Sequence, residues 1–159
     1  MYEERFTDWL SWRDRNNVVG IRYPGIYVCA ITSSDISDTK FSWLTKIVYI
    51  GMTNAISGLK GRLKQFDNTI LGKTGHGGAD RVRFKHQNYE DLCRKLFVSV
   101  VPFECNVKSN HPGDLRIMGT VAKFEYNCFA HYVEVFGSLP EFNNKATSPK
   151  YSLTLGRGN

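Results

Sequence analysis

The sequence predicts an α/β (α+β) fold: a small, mainly antiparallel three-stranded sheet flanked by helices. Three observations predict it. Runs rich in β-branched and aromatic residues occupy Gly25–Ile31, 46–52 and 97–103. Segments 57–71 and 114–136 carry apolar residues at helical spacing. The order reads α-β-β-α-α-β-α, without repeats or coiled-coil heptads.

Residues 3–15 have helical character, since Phe6, Leu10 and Trp9 or Trp12 could share one apolar stripe. Asn16-Asn17 stops it, and residues 18–21 read as a short extended entry. GIYVCAI at Gly25–Ile31 is the first strand. The polar stretch SSDISDT at 33–39 is too long for a tight hairpin and reads as an insertion. KIVYIGM at 46–52 is the second strand, antiparallel to the first. In the helix that follows, Leu59, Leu63, Phe66 and Ile70 fall on one face. Residues 72–78 are glycine-rich and read as a loop.

Asn88 can cap a short helix running to Leu96, with Glu90 and Asp91 early and Arg94 and Lys95 late, as the helix dipole favours. FVSVVPF at 97–103 is the third strand, and Pro102 suggests an edge or a strand end. Residues 105–113 are loop. Asp114 opens the longest helix, which Gly137 stops after Phe136. The expected organisation is an N-terminal helical extension at 1–24, a central domain at 25–145, and an irregular C-terminal tail at 146–159 that frays at its end.

At 159 residues the chain is long enough for one domain with its own core. Its 42% apolar and 23% charged residues are ordinary for a globular protein. No apolar run approaches the ~20 residues of a membrane span. The opening residues Met1-Tyr2-Glu3-Glu4-Arg5 lack the basic-then-apolar pattern of a secretory signal, so the expected location is cytoplasmic. Cys29, Cys93, Cys105 and Cys128 are scattered, as expected of reduced, buried thiols. A zinc site from Cys105, His111 and either His76 or His86 would match no standard ligand spacing.

The net charge is +6 and its distribution is uneven. From Lys60 to Lys95 there are nine basic residues (Lys60, Arg62, Lys64, Lys73, Arg81, Arg83, Lys85, Arg94, Lys95) against four acids. A polyanion would meet a positive field there, although charge alone favours a solvated basic surface.

Glu125 is the most informative residue on physical grounds. Its helical neighbours Met118, Val121, Ala122, Cys128, Phe129 and Tyr132 are all apolar. A carboxylate in such a stripe is costly unless paired, protonated or bound to a cation. A buried ion pair with Arg62 or Lys123 and a metal site are both open at this point. Arg62 borders the Leu59-Leu63-Phe66 stripe, where its planar fork suits a phosphate, or it is an ordinary surface arginine. Tyr27 and Tyr49 are each a strand aromatic beside a glycine. Gly72-Lys73-Thr74 imitates the end of a P-loop but lacks the glycine at position 67, which is Asp67. His76 sits in a basic glycine-rich loop where backbone amides could approach a phosphate.

Together these residues resemble the GIY-YIG endonuclease family. The resemblance rests on Gly25-Ile26-Tyr27, Val48-Tyr49-Ile50-Gly51, Arg62 in Gly58-Leu59-Lys60-Gly61-Arg62-Leu63, Glu125 in Lys123-Phe124-Glu125-Tyr126, and Asn143 in Leu139-Pro140-Glu141-Phe142-Asn143. It spans residues 25–143. The segment between the tyrosine motifs is unusually long, Phe66 stands where some members place a histidine, and no separate DNA-recognition domain accompanies the motifs.

The resemblance implies a metal-dependent DNA endonuclease. Glu125 would hold a single Mg2+ or Mn2+ and Arg62 would stabilise the transition state. Tyr27 and Tyr49 would position water, with Tyr27 the expected base, and Asn143 would brace Glu125 or the tyrosines. Lys60, Lys64, Lys73, His76, Arg81, Arg83 and Lys85 would contact double-stranded DNA, with a homodimer as one arrangement. A restriction-type enzyme and a phage or mobile-element nuclease both fit a free-standing domain, and homing, repair and toxin roles stay open. A non-catalytic nucleic-acid-binding module of the same fold is the alternative, and a small structural protein with a salt-bridged Glu125 is a third reading.

Overall fold

A computed structural model describes residues 3–155, with side chains to Leu153. The fraying expected at the extreme C-terminus, and the opening Met1-Tyr2, lie outside the described residues. Four antiparallel strands form one sheet: β1 (Leu10–Ser11), β2 (Gly25–Ile31), β3 (Ile47–Thr53) and β4 (Leu96–Pro102), in the order β1-β4-β2-β3. The helices are α1 (Gly58–Leu71), α2 (Gly77–Lys85), α3 (Tyr89–Lys95), α4 (Pro112–Phe136) and the one-turn α5 (Ser152–Leu155). No helix of the described residues is long and apolar enough to cross a membrane.

The sheet has a fourth strand where three were expected, and it comes from the segment expected to be helical. Residues 3–15 form two single 3-10 turns and β1. The cause is where the tryptophans go. Trp9 joins the apolar cluster on one side of the sheet and Trp12 the cluster on the other. A single helix stripe cannot feed two layers, whereas an extended chain sends side chains to both sides. Thr7 fixes the register: its N–H donates to Val100 O (3.0 Å), and its carbonyl accepts from Ser99 Oγ (2.6 Å).

β2 is central and buried on both faces, so its pattern is continuous rather than alternating. Tyr27 and Cys29 point to the side of α1 and α2, with Leu59, Leu63, Phe66, Ala79 and Val82. Ile26, Val28 and Ala30 point to the side of α4, with Val121, Phe124, Cys128 and Tyr132. The connection between β2 and β3 is pinned down: Trp9 N–H donates to Thr39 O, and Phe41 stacks on Phe6 at 4.0 Å. β4 ends at Pro102, which satisfies the strand-end reading of that proline.

β3 is one of the two edge strands of the sheet, and its edge is covered locally. Asn143, in the 3-10 turn Glu141–Asn143, accepts from Ile50 N–H (2.8 Å) and donates to Ile50 O (2.8 Å). One side-chain amide thus replaces a neighbouring strand at Ile50, satisfying two backbone groups.

Candidate active site

The site forms where β3 runs between α1, α2 and α4. Two glycines make room for its aromatic rings. A Cβ on Gly51 would collide with the Tyr27 phenol, and one on Gly78, in the first turn of α2, would collide with the Tyr49 ring. Gly51 lies opposite Tyr27 in the register of β2 and β3, so the side chain of the first motif occupies the space left empty by the second. The Tyr27 and Tyr49 rings lie 5.9 Å apart, and Phe66 and His76 close around them.

Tyr27 is sealed, with no exposed surface. Its Oη lies 2.6 Å from His76 Nε2. His76 caps α2: its Nδ1 accepts from Ala79 N–H (3.1 Å). Nδ1 therefore carries no proton, and a neutral ring must carry it on Nε2 and donate it to Tyr27. Burial, with the charge of Arg62, drives the His76 pKa down to about 3, so this tautomer holds at neutral pH. His76 is only 1% exposed. This corrects its expected role as a DNA contact: it is an internal donor to Tyr27 and the start of α2, which extends into the stretch expected to be loop.

Tyr49 is half-buried and lines a hollow of about 460 Å³ with Ile50, Glu125, Tyr126, Phe129, Leu139, Asn143 and Lys145. Burial raises the Tyr49 pKa, while a hydrogen bond from Tyr27 and the charge of Arg62 oppose the shift. Burial holds the Tyr27 phenol well above its ordinary value, with the neighbouring Tyr49 adding to it and Arg62 opposing. The expected assignment of Tyr27 as the base meets a geometric obstacle: the phenol that reaches the hollow is Tyr49.

Glu125 is half-buried in the same hollow and forms no hydrogen bond or ion pair among the described residues. Neither Arg62 nor Lys123 pairs with it, so the ion-pair explanation fails. Burial raises its pKa to about 7, and Arg62 partly offsets this. Arg62 lines a second hollow of about 500 Å³ with Met52, Asn54, Ser57 and Gln65. Its Nη1 donates to Gln65 Oε1 at 2.5 Å, and its Nε is buried without a partner. Asn143 binds the backbone between Tyr49 and Gly51 rather than Glu125 or a phenol, so it positions the strand that carries Tyr49.

The basic stretch does not form one track. On α1, Lys60 and Lys64 each lie about 160° around the helix from Arg62 at 3.6 residues per turn. Lys85 pairs with Glu141 at 2.7 Å, and the Arg83 guanidinium stacks 4.2 Å from the Tyr151 ring centre. Lys73 is exposed and Arg81 half-buried, and neither lines the two hollows. Lys145, outside the basic stretch, lines the hollow that holds Glu125. Tyr126 and Phe129 were missed as well; the available signal was an aromatic next to Glu125 on the solvent side of an amphipathic helix.

Among the described residues no three His, Cys, Asp or Glu side chains converge as a metal cluster, which leaves the Cys105–His111 zinc idea without support. A lone unpaired carboxylate beside an arginine does fit Mg2+ or Mn2+. Mg2+ typically keeps several waters and takes one or two carboxylates plus substrate phosphates. Comparison with known proteins returned no matching family model, curated protein or solved structure.

Proposed function

We propose that the chain is a metal-dependent DNA endonuclease of the GIY-YIG type. The observation that carries this reading is Glu125: an unpaired carboxylate, half-buried and open to a hollow shared with Tyr49 and Asn143. A carboxylate that costs folding energy and gains no partner is accounted for by a ligand. A non-catalytic binding module leaves that cost unexplained.

Glu125 would hold a hydrated Mg2+ or Mn2+, which supplies Lewis-acid stabilisation of charge on the phosphate and leaving oxygens. Arg62 binds the scissile phosphate and stabilises the extra negative charge of the pentacovalent transition state. Tyr49, as the phenolate once its own proton has left to solvent through the hollow, takes a proton from the attacking water as the water oxygen bonds to phosphorus and the bond to the leaving oxygen breaks. Tyr27, held by the His76 donor, directs its own hydroxyl to Tyr49, which together with the charge of Arg62 offsets part of the upward shift that burial imposes on that phenol. Asn143 fixes the backbone carrying Tyr49.

Plasmid nicking tests the reading. Wild type is expected to nick supercoiled DNA with Mg2+ and to stop in EDTA, while Glu125→Gln should lose roughly 10³-fold in rate, the loss expected for several kcal/mol of charge stabilisation. Equal rates for the two proteins, or cleavage that persists in EDTA, would remove the proposal.

A further inference from the structure

The hollow around Glu125 has a second wall that phosphodiester hydrolysis does not require. Tyr126, the next residue on α4, is 72% exposed, an unusual state for a large aromatic side chain. It is braced edge-to-face on Phe129, with ring centres 6.0 Å apart and planes at 89°. Both rings line the hollow with Leu139 and Ile50, and Lys145 supplies a cation there. A braced, exposed tyrosine beside a cation is the composition of a stacking platform for a base whose backbone is held nearby. The volume of about 460 Å³ falls in the range of small-ligand sites.

In an intact duplex the bases are stacked inside and present only their edges in the grooves. Phosphates and sugars could approach Glu125 and Arg62 from such a duplex, but no base face could meet Tyr126. We infer that the hollow receives one unpaired nucleobase next to the bond being cut, stacked on Tyr126, so that the substrate is a strand with an unpaired or extruded nucleotide at that point. This rests on the nuclease reading and adds the class of DNA it acts on.

Binding in EDTA by fluorescence anisotropy separates the base from the backbone. The probes are a labelled single strand, the same strand with abasic sites, an uninterrupted duplex and a duplex with a one-nucleotide bulge. Wild type is expected to bind the base-containing strand more tightly than the abasic one. Tyr126→Ala should weaken the base-containing strand and the bulge about 5- to 150-fold, leave the abasic strand and the uninterrupted duplex unchanged, and melt as wild type does. Tyr126→Phe should retain binding. Equal affinity for the base-containing and abasic strands, or an equal loss on every probe in Tyr126→Ala, overturns the inference. Cleavage with Mg2+ of the plasmid, the single strand and the bulged duplex by wild type and Glu125→Gln reports on the nuclease reading separately: cutting of any of them that is lost in Glu125→Gln keeps that reading whatever the base-binding result, and no cutting of any of them removes it.

Discussion

Asp67 and Glu125 are carboxylates set among apolar side chains on different helices, and their surroundings treat them oppositely. Asp67 accepts from Trp12 Nε1 and Tyr89 Oη, both at 2.8 Å, and faces Arg15 Nη2 at 3.2 Å. It ties the N-terminal segment to α1 and α3. Glu125 has no such partners, and its pKa sits near 7 because burial is only partly offset by Arg62. A structural carboxylate comes with its donors, and the proposed function accounts for the missing donors at Glu125 by a ligand that arrives from outside. The same contrast separates the tyrosines: Tyr27 is enclosed and partnered, and Tyr49 reaches the hollow.

Substitutions can break this contrast. Arg62→Ala is expected to lower nicking by about 10²–10³-fold, the range for losing one preorganised charge-stabilising donor, with little change in melting temperature. Comparable activity in that variant would put Arg62 outside the chemistry. Asp67→Ala should do the reverse. It orphans two hydrogen-bond donors and an arginine, so it should destabilise the fold by about 3 kcal/mol. In a chain of this size that lowers the melting temperature by roughly 6–12 °C. Its cleavage rate per folded molecule should stay at the wild-type level. Asn143→Ala is smaller, about 1–3 kcal/mol, because it uncovers the N–H and C=O of Ile50 at the sheet edge. Hydrogen exchange at the Ile50 amide should accelerate in that variant, and an unchanged rate would mean that another group covers the edge.

The candidate site was legible in the sequence where its signals are local. Glu125 stood out from the apolar residues three and four positions away, and Tyr27 and Tyr49 from the glycines beside them, although the reason for Gly51, room for the Tyr27 ring, needed the strand register. What stayed hidden depends on contacts between distant segments. Apolar residues at 6, 9, 10 and 12 fit a helix stripe, and only the two-layer destination of Trp9 and Trp12 reveals a strand. The charge count from Lys60 to Lys95 could not show that Lys60 and Lys64 face away from Arg62, or that Lys85 is already paired. His76 looked like a loop residue because its partner, Tyr27, lies 49 positions earlier. Tyr126 entered only as the neighbour of Glu125 in Lys123-Phe124-Glu125-Tyr126, because its bracing on Phe129 and its place in the hollow are set by the fold.

Stability against pH, with and without Mn2+, tests the state of Glu125 most directly. A carboxyl whose folded pKa is raised to about 7 stabilises the fold fully below its unfolded value, and that contribution is lost as pH rises through 7. Without metal, wild type should therefore lose stability relative to Glu125→Gln between about pH 5 and pH 8, and Mn2+ at pH 8 should raise the melting temperature of wild type alone. A wild type that gains on the variant as pH rises would reveal a hidden partner for Glu125, and an equal Mn2+ effect on both proteins would place the cation elsewhere; either result would contradict the account.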